Sequence, residues 1–348
     1  MLENKNYRTE LSSIGEFGLI KHIAASVQLR NESSKKGIGD DAAVIEYQNK
    51  QVVVSTDMLM EGIHFDLAYV PMKHLGYKCV TVNLSDIYAM NATPRQILVS
   101  IALSNRFSLE AVEELYSGIL MACENYNVDL VGGDTTSSLS GSVISVTAIG
   151  EAEKEDIVYR NGAKDKDLLC VTGDLGGAYM GLQLLEREKR IFKENPKIQP
   201  DLAGNDYLLE RQLKPEARKD IPLLLKVMNV KPTAMIDVSD GLASEILHIC
   251  DQSNVGCNLF EEKIPIDPMT YQRARDLNLD PTMCALSGGE DYELLFTINI
   301  NDFDKVKNNP DITVIGHITE KAAGCNMIAK MGTVHPITAQ GWDALLKK

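Results

Sequence analysis

The fold of this chain is indicated by residues 37–65, which read Gly-Ile-Gly-Asp-Asp-Ala-Ala-Val-Ile at 37–45 and Val-Val-Val-Ser-Thr-Asp-Met-Leu-Met-Glu-Gly-Ile-His-Phe at 52–65. Asp40 and Asp41 follow a Gly-Ile-Gly turn, and Asp57 ends an apolar run that predicts a strand. Three consecutive valines predict that this strand is buried on both faces. Carboxylates at the ends of apolar segments are costly unless a cation meets them. The stretch therefore predicts a cation site built on strand ends.

The composition is that of an ordinary soluble chain. It has 348 residues, 44% hydrophobic and 24% charged, and this length predicts two domains. The formal net charge of −14 argues against a nucleic-acid-binding surface, which needs clustered Lys and Arg. No signal segment is visible, and no apolar run approaches the ~18–20 residues that span a bilayer. We therefore expect a cytoplasmic protein without a nucleic-acid or membrane partner.

The cysteines are predicted to be packed thiols. There are seven, and no two of them form a Cys-x-x-Cys pair. Most lie in apolar segments, which favours reduced, buried thiols over zinc ligands or disulfides.

Further acids lie at the ends of predicted helices and strands. The apolar stripe of a predicted helix at 72–90 continues onto Asp86, and a Gly-Gly turn precedes Asp134. A short predicted strand carries Asp237 and leads into a turn with Asp240. Asp240 is placed to cap the following helix, but capping leaves Asp237 without an explanation.

Taken together, these acids predict a magnesium site. Converging carboxylates repel one another by ~1 kcal/mol per pair at 4 Å in water, so a fold keeps them only when cations neutralise them. Oxygen ligands without His or Cys favour Mg²⁺, which commonly bridges to phosphate oxygens and so indicates phosphoryl transfer. The chain has no GxxxxGK[ST] motif, and its GxG lacks a third glycine, so the P-loop and Rossmann folds are both excluded.

Six motifs lie in order along essentially the whole chain. They are Gly-Ile-Gly-Asp-Asp-Ala-Ala at 37–43, Ser-Thr-Asp at 55–57 with Glu-Gly-Ile-His-Phe at 61–65, Asn-Leu-Ser-Asp-Ile at 83–87, Gly-Gly-Asp-Thr at 132–135, Asp-Val-Ser-Asp-Gly at 237–241 and Ser-Gly-Gly-Glu-Asp-Tyr-Glu-Leu at 287–294. In order and spacing they resemble the motifs of thiamine-monophosphate kinases, a family within the aminoimidazole ribonucleotide synthetase-like ATP-binding superfamily. Glu-Gly-Ile-His-Phe and Gly-Gly-Glu-Asp-Tyr-Glu-Leu favour the kinases within that superfamily.

The resemblance implies an α/β protein of the α+β type with two domains. Residues 1–150 would form an N-terminal mixed sheet with helices on one face, which binds ATP and Mg²⁺ and forms the homodimer. A change to strongly charged composition at 151–167 marks the boundary, and residues 151–348 would form a C-terminal α/β sandwich. The implied activity is ATP-dependent phosphorylation of thiamine monophosphate to thiamine diphosphate, by direct in-line transfer assisted by several Mg²⁺ ions.

The resemblance also implies residue roles, and none of them is a catalytic acid or base, because the acceptor is already an ionised phosphate. The implied metal ligands are Asp40, Ser55, Thr56, Asp57, Asp86, Asp134, Asp237 and Asp240. The implied nucleotide contacts are Tyr116, Gly133, Asp134, Arg160 and Ser239. The implied contacts to thiamine monophosphate are His64, Glu290 and Trp342.

Two departures from the family pattern and two alternative functions remain. Asn91 stands where Gly is usual, and Asp165-Lys166-Asp167 replaces Pro-Gly-Asp, which leaves that turn and the placement of Arg160 open. Asn tolerates the left-handed conformation that a helix end needs at position 91. The first alternative is another ATP-dependent enzyme of the superfamily, a synthetase that activates an amide or a selenide. The second is a non-catalytic sensor of nucleotide or thiamine phosphate.

Overall fold

The structure is a computed structural model that describes Thr9 and residues 19–36, 38 and 44–339. Asp40, Asp41 and Trp342, which carry sequence predictions, lie outside the described residues. The chain divides into two compact units, Met1–Ile87 with Ala92–Glu155 and Tyr88–Asn91 with Asp156–Lys348. Among the described helices, none is both long enough and apolar enough to cross a membrane.

The described residues of both units form helices and strands. The strands are β1 (Ser34–Lys36), β2 (Val44–Ile45), β3 (Gln51–Met60), β4 (Thr93–Leu103), β5 (Asp129–Ser137), β6 (Val143–Ala152), β7 (Leu168–Thr172), β8 (Ala234–Asp237), β9 (Val255–Phe260), β10 (Leu294–Ile298), β11 (Ile312–Glu320), β12 (Cys325–Ile328) and β13 (Val334–Pro336). The helices are α1 (described at residues 19–24), α2 (Met72–Ala89), α3 (Leu109–Tyr126), α4 (Gly177–Glu194), α5 (Asp206–Leu213), α6 (Asp220–Val227), α7 (Leu242–Ser253), α8 (Pro268–Asp276), α9 (Pro281–Ser287) and α10 (Phe303–Val306).

The first unit contains a four-stranded sheet in the order β3-β6-β4-β5. β4 and β5 are parallel and the other pairs are antiparallel, which confirms the predicted mixed sheet. β6 alternates buried and half-buried residues along its whole length, as expected when helices cover one face. The Ser108 hydroxyl caps the start of α3, because it accepts a hydrogen bond from the N–H of Ala111 at 3.4 Å.

Two glycines bring α2 and α3 into backbone contact. A Cβ atom added at Gly76 would lie 1.9 Å from the Leu115 carbonyl oxygen, and one added at Gly118 would lie 1.9 Å from the Lys73 carbonyl oxygen. No side chain fits at either position, so the two helices can approach this closely only with glycine. This contact fixes α2, which carries Asp86, against its neighbour.

Strand β3 differs from its sequence prediction in two ways. Val52 and Val54 are 46% and 61% exposed, so the prediction of burial on both faces is wrong. Within the described sheet β3 is an edge strand paired only with β6, and its even-numbered residues face away from the helices. The strand also continues to Met60, so Asp57 lies within it rather than at its end.

The second unit is a sheet of seven strands in the order β13-β12-β9-β11-β7-β10-β8, with a core on each face. The two cores lie on opposite faces because successive residues of β7 belong to different cores, Cys170 to one and Val171 to the other. One core includes α7, and the opposite core includes α6 and α10. This arrangement confirms the predicted C-terminal α/β sandwich.

The two departures from the family pattern are accommodated locally. Asn91 has φ 54°, which confirms the predicted left-handed conformation, and its side-chain amide donates to the Asp156 carbonyl at 2.8 Å. Lys166 has φ 74°, so a lysine takes the left-handed position where glycine is usual. The buried Asp167 carboxylate closes this turn by accepting from the Lys164 N–H at 2.9 Å and from the Thr233 hydroxyl at 2.7 Å.

Candidate active site

The first unit brings three of the predicted metal ligands together. Ser55 and Asp57 lie on the face of β3 that the helices cover, because they are two residues apart in the strand. The Ser55 hydroxyl donates to the Asp86 carboxylate at 2.5 Å, and the Asp57 N–H donates to the Asn83 side-chain oxygen at 2.8 Å. Asn83 and Asp86 share one face of α2 through their spacing of three. We call Ser55, Asp57 and Asp86 the first-unit oxygen cluster.

The sequence did not single out Asn83 for a role, although the structure gives it one. Asn83 is fully buried, and its side-chain amide also donates to the Cys79 carbonyl at 2.9 Å. It therefore ties the backbone of β3 at Asp57 to α2. A buried Asn three residues before Asp86 on the same helix face is the signal that could have revealed it.

Two other predicted ligands, Thr56 and Asp134, do not join the first-unit oxygen cluster. Thr56 alternates to the opposite face of β3, where its hydroxyl donates to the Val146 carbonyl at 3.0 Å. Asp134 in β5 lies opposite Ser100 in β4. The same cross-strand row continues through Ser145 in β6 to Met58 in β3, whose side chain is exposed. Within the described residues, no three carboxylate or histidine ligand atoms lie within 4.8 Å of one another. The described acids are thus spaced more widely than the ligands of a single ion.

His64 is held in a tight turn directly after β3. The Met60 N–H donates to His64 Nδ1 at 3.0 Å, and the His64 N–H donates to the Met60 carbonyl at 2.9 Å. Since Nδ1 accepts, the neutral ring carries its proton on Nε2, which becomes a donor suited to an anionic group. Glu61 anchors the turn through an ion pair with Arg106 and a hydrogen bond from the Ser142 hydroxyl at 3.2 Å.

Two predicted nucleotide contacts of the first unit are constrained by packing. Tyr116 is 7% exposed, and burial raises the pKa of its hydroxyl above the ordinary value. A Cβ atom at Gly133 would lie 1.8 Å from the Val99 carbonyl oxygen, so only glycine allows β5 to approach β4 here.

In the second unit, two turns interlock through their backbones. The Glu290 N–H donates to the Ser239 carbonyl at 2.7 Å, and the Tyr292 N–H donates to the Val238 carbonyl at 3.0 Å. A Cβ atom at Gly289 would lie 2.5 Å from the Ser239 carbonyl oxygen, which explains the glycine. The segment with Asp237 and Asp240 is thereby placed beside Glu290. We call these two segments, 237–241 and 287–293, the interlocked turns.

The backbone of the second of these turns is strained. Glu290 has φ 60° and Tyr292 has φ 53°, left-handed values that cost a non-glycine residue of order 1–3 kcal/mol. Such residues cluster at functional sites, where the surrounding contacts hold them. The Glu290 carboxylate is oriented as well, since it accepts from the Gln212 side-chain amide at 3.0 Å.

Glu245 is a buried acid beside three predicted site residues, and the sequence analysis did not identify it. Its carboxylate accepts from the Asp240 N–H at 3.1 Å and from the Ser239 hydroxyl, and the Arg160 charge lies near it. Burial is the largest cause that raises the pKa of Glu245 to about 7. The sequence signal was an acid in the first turn of α7. Gly241, not Asp240, occupies the N-cap position of α7, so the capping alternative for Asp240 is wrong.

A buried network of ion pairs and hydrogen bonds holds the second of the interlocked turns, residues 287–293, in place. Glu293 is 3% exposed and accepts from Arg211 at 2.9 Å and from Arg218 at 2.6 Å. Asp291 accepts from the Gly176 N–H at 2.7 Å and so caps the start of α4. Burial is the largest influence on the Asp291 carboxyl and raises its pKa to about 6. These partners are far apart in sequence, which is why local patterns do not reveal the network.

Comparison with known proteins identifies the class to which this fold and site belong. The family described as AIR synthase related protein, N-terminal domain, matches residues 39–152, which contain the first-unit oxygen cluster. A thiamine-monophosphate kinase of Bacillus subtilis is 36% identical over 312 residues, which cover 88% of this chain and 92% of that protein.

Solved structures agree with the sequence comparison. One described as AaThiL complexed with AMPPCP and TMP is 32% identical, with a TM-score of 0.74, and covers 98% of this chain and 100% of the other. A thiamine-monophosphate kinase of Stenotrophomonas maltophilia is 30% identical, with a TM-score of 0.76, over 92% of this chain and 95% of the other. The chain belongs to the thiamine-monophosphate kinase family.

Proposed function

We propose that this enzyme transfers the γ-phosphoryl group of ATP to the phosphate of thiamine monophosphate, giving thiamine diphosphate and ADP. The observation that carries the proposal is the similarity to thiamine-monophosphate kinases over about nine tenths of the chain. In one in-line step, an acceptor phosphate oxygen forms a bond to the γ-phosphorus while the bond from that phosphorus to the β-γ bridging oxygen breaks. The acceptor oxygen is already ionised, so no general base is required.

The oxygen donors of the first unit suit Mg²⁺. Ser55, Asp57 and Asp86 offer one hydroxyl and two carboxylates, and the chemistry of these hard donors fits this ion rather than zinc. When bound, Mg²⁺ would neutralise negative charge on the phosphate oxygens. We propose further ligands from Asp40, Thr56, Asp134, Asp237 and Asp240, so that several ions share the set. Thr56 would then contribute through its main chain, because its hydroxyl lies on the other face of β3.

The chain's own residues would bind and orient the two substrates. His64 would present its Nε2 proton to an anionic group of thiamine monophosphate, and the Glu290 carboxylate would attract the cationic thiazolium. Trp342 would stack on a ring of the same substrate. The nucleotide would be contacted by Tyr116, Gly133, Asp134, Arg160 and Ser239. Of these, Arg160 is exposed and lies near Glu245, close to Ser239.

We also propose that residues 1–150 form the ATP-binding and dimerisation domain, that residues 151–348 form the second domain, and that the homodimer works in the cytoplasm. Support for a dimer comes from the open face of β3. Val52, Val54, Met58 and Met60 are all more than 40% exposed there. Val54→Lys should therefore produce monomers in sedimentation experiments, and an unchanged mass would count against this face.

The activity is tested directly by incubating the purified full chain with Mg-ATP and thiamine monophosphate. We expect thiamine diphosphate and ADP in equal amounts. ATP turnover only with an acceptor other than thiamine monophosphate would favour a synthetase, and binding of ATP without any ADP would favour a sensor. Either result would overturn the kinase assignment.

The metal assignment is tested by Asp57→Asn, with Asp251→Asn as the matched control. Asp251 is exposed near the C-terminal end of α7, whereas Asp240 precedes the N-terminal end of that helix. Loss of a carboxylate that holds Mg²⁺ should lower kcat at least ~100-fold, in the range of other electrostatic contributions to catalysis, while circular dichroism stays unchanged. Equal turnover in the two variants would show that Asp57 does not hold a metal.

A further inference from the structure

Three cysteines meet in the second unit, and the proposed kinase reaction uses none of them. Cys250 lies near the end of α7, Cys257 lies in β9, and Cys325 is the first residue of β12. Their sulfur atoms all lie within 4.8 Å of one another. Among the described residues, this is the only group of three Cys, His, Asp or Glu ligand atoms so close together. We call it the thiol cluster.

The fold holds the thiol cluster from three directions. β9 and β12 are parallel, and Cys325 stands opposite Cys257 in their register. The Cys257 N–H donates to the Gly324 carbonyl at 3.1 Å, and the Ile337 N–H donates to the Cys325 carbonyl at 2.9 Å. α7 ends at a left-handed Asn254, φ 57°, and the chain turns there from Cys250 into β9. The three sulfurs are therefore positioned by regular, hydrogen-bonded elements.

Exposure distinguishes the three thiols. Cys250 and Cys257 are buried, whereas Cys325 is partly exposed and is the only one of the seven cysteines that is not buried. The apolar Met327 and Ile337 are packed against the same core as the cluster. One side of the cluster is open to solvent.

We propose that Cys250, Cys257 and Cys325 form a binding site for a thiophilic d¹⁰ metal ion, Zn²⁺ or Cu⁺. A metal–sulfur distance of ~2.3 Å places three sulfurs around one ion ~4 Å apart, which is compatible with sulfur atoms that lie within 4.8 Å of one another. Thiolates select these ions and not Mg²⁺, so the site would not compete for the kinase's metal. Each metal–sulfur bond formed by a protonated thiol releases its proton to solvent.

The sequence predicted packed thiols because no Cys-x-x-Cys motif was present. Six of the seven cysteines are indeed buried, and all seven are free. The third member of the cluster comes from β12, which follows β9 only after β10 and β11. Convergence of this kind is set by strand pairing and leaves no local pattern.

The test uses the full chain, reduced and free of oxygen, titrated with Zn²⁺ or with Cu⁺ against a chromophoric chelator. Cys325→Ala is compared with Cys284→Ala, which removes one thiol of the same unit outside the cluster. We expect one ion per chain in the wild type and in Cys284→Ala, and at least ~10-fold weaker binding in Cys325→Ala. The ion bound more tightly identifies the occupant. No stoichiometric binding of either ion, or equal binding by both variants, would overturn the proposal.

A second measurement needs no turnover. Because Cys325 is the only cysteine that is not buried, alkylation of the native protein by iodoacetamide reports on that thiol. We expect the bound ion to slow this alkylation at least ~10-fold, since the metal occupies the reactive sulfur. An alkylation rate unchanged by stoichiometric metal would mean that the thiols serve only for packing. Cys325→Ala should retain kinase activity, which serves as the check on its fold.

Discussion

Replacing Glu293 by Gln tests whether the buried ion network stabilises the second unit. Glu293 is 3% exposed and accepts three hydrogen bonds, from the Thr172 hydroxyl at 2.6 Å, from Arg211 at 2.9 Å and from Arg218 at 2.6 Å. Gln keeps the shape and one acceptor oxygen but removes the negative charge that the two guanidinium groups share. The Gln side-chain amide also places an N–H₂ donor opposite a group of Thr172, Arg211 or Arg218 that is itself a donor.

The expected cost follows from these contacts. A hydrogen bond to a charged group contributes ~1.5–3 kcal/mol, and breaking one side of a buried ion pair costs ~3–5 kcal/mol. The nearby Asp291 offsets part of the loss, because it also pairs with Arg211, at 3.4 Å. We therefore expect Glu293→Gln to lower the free energy of unfolding by about 3–5 kcal/mol. The matched control is Glu186→Gln, whose side chain is 45% exposed and pairs with Lys189, and it should cost about 0–1 kcal/mol.

The assay is urea unfolding followed by far-ultraviolet circular dichroism, with separate transitions fitted for the two units. Because Glu293 closes the turn that carries Glu290, the KM for thiamine monophosphate should rise as well. A loss within 1 kcal/mol of that of Glu186→Gln would refute the reasoning, since the network would then contribute no more than a surface pair.

Three further predictions use other features of the fold. Burial raises the pKa of Asp291 from 3.8 to about 6. Between pH 3.8 and about pH 6 the folded state therefore binds more protons than the unfolded state, so the contribution of Asp291 to stability falls as the pH rises through this range. Asp291→Asn should remove that slope from the pH dependence of urea unfolding. Lys166→Gly should raise the melting temperature by relieving a φ of 74°, with a net gain of about 0.5–1 kcal/mol. Gly118→Ala should lower the free energy of unfolding by about 3 kcal/mol, because the new Cβ would lie 1.9 Å from the Lys73 carbonyl oxygen. In an exposed helix, the same change stabilises.

The sequence predicted those features that depend on neighbouring residues. The left-handed conformation of Asn91 follows from its place after the end of α2. The mixed sheet, the sandwich and the family were predicted because several motifs agree in order and spacing. For the site, Ser55 and Asp57 share one face of β3, whereas the Thr56 hydroxyl, which was expected beside them, lies on the opposite face.

The features that the sequence did not predict depend on distant partners. Val52 and Val54 look like a buried core, but β3 pairs only with β6 within the described sheet, which leaves one face open. Glu245 acquires its raised pKa from burial beside Asp240, and the position of Glu293 depends on two arginines from other parts of the chain. Charge and burial of this kind arise from tertiary packing, so a single sequence carries no periodic signal for them.

The interlocked turns have a consequence for how this protein can change over evolutionary time. The backbone of Ser239 supports that of Glu290 through one hydrogen bond and one glycine contact, so neither turn can shift alone. Substitutions in the two turns should therefore be epistatic, and a double-mutant cycle between them should show effects that do not add. A substitution that moved the backbone at Glu290 would also require an adjustment in the segment with Asp237 and Asp240. We therefore expect the two turns to evolve together.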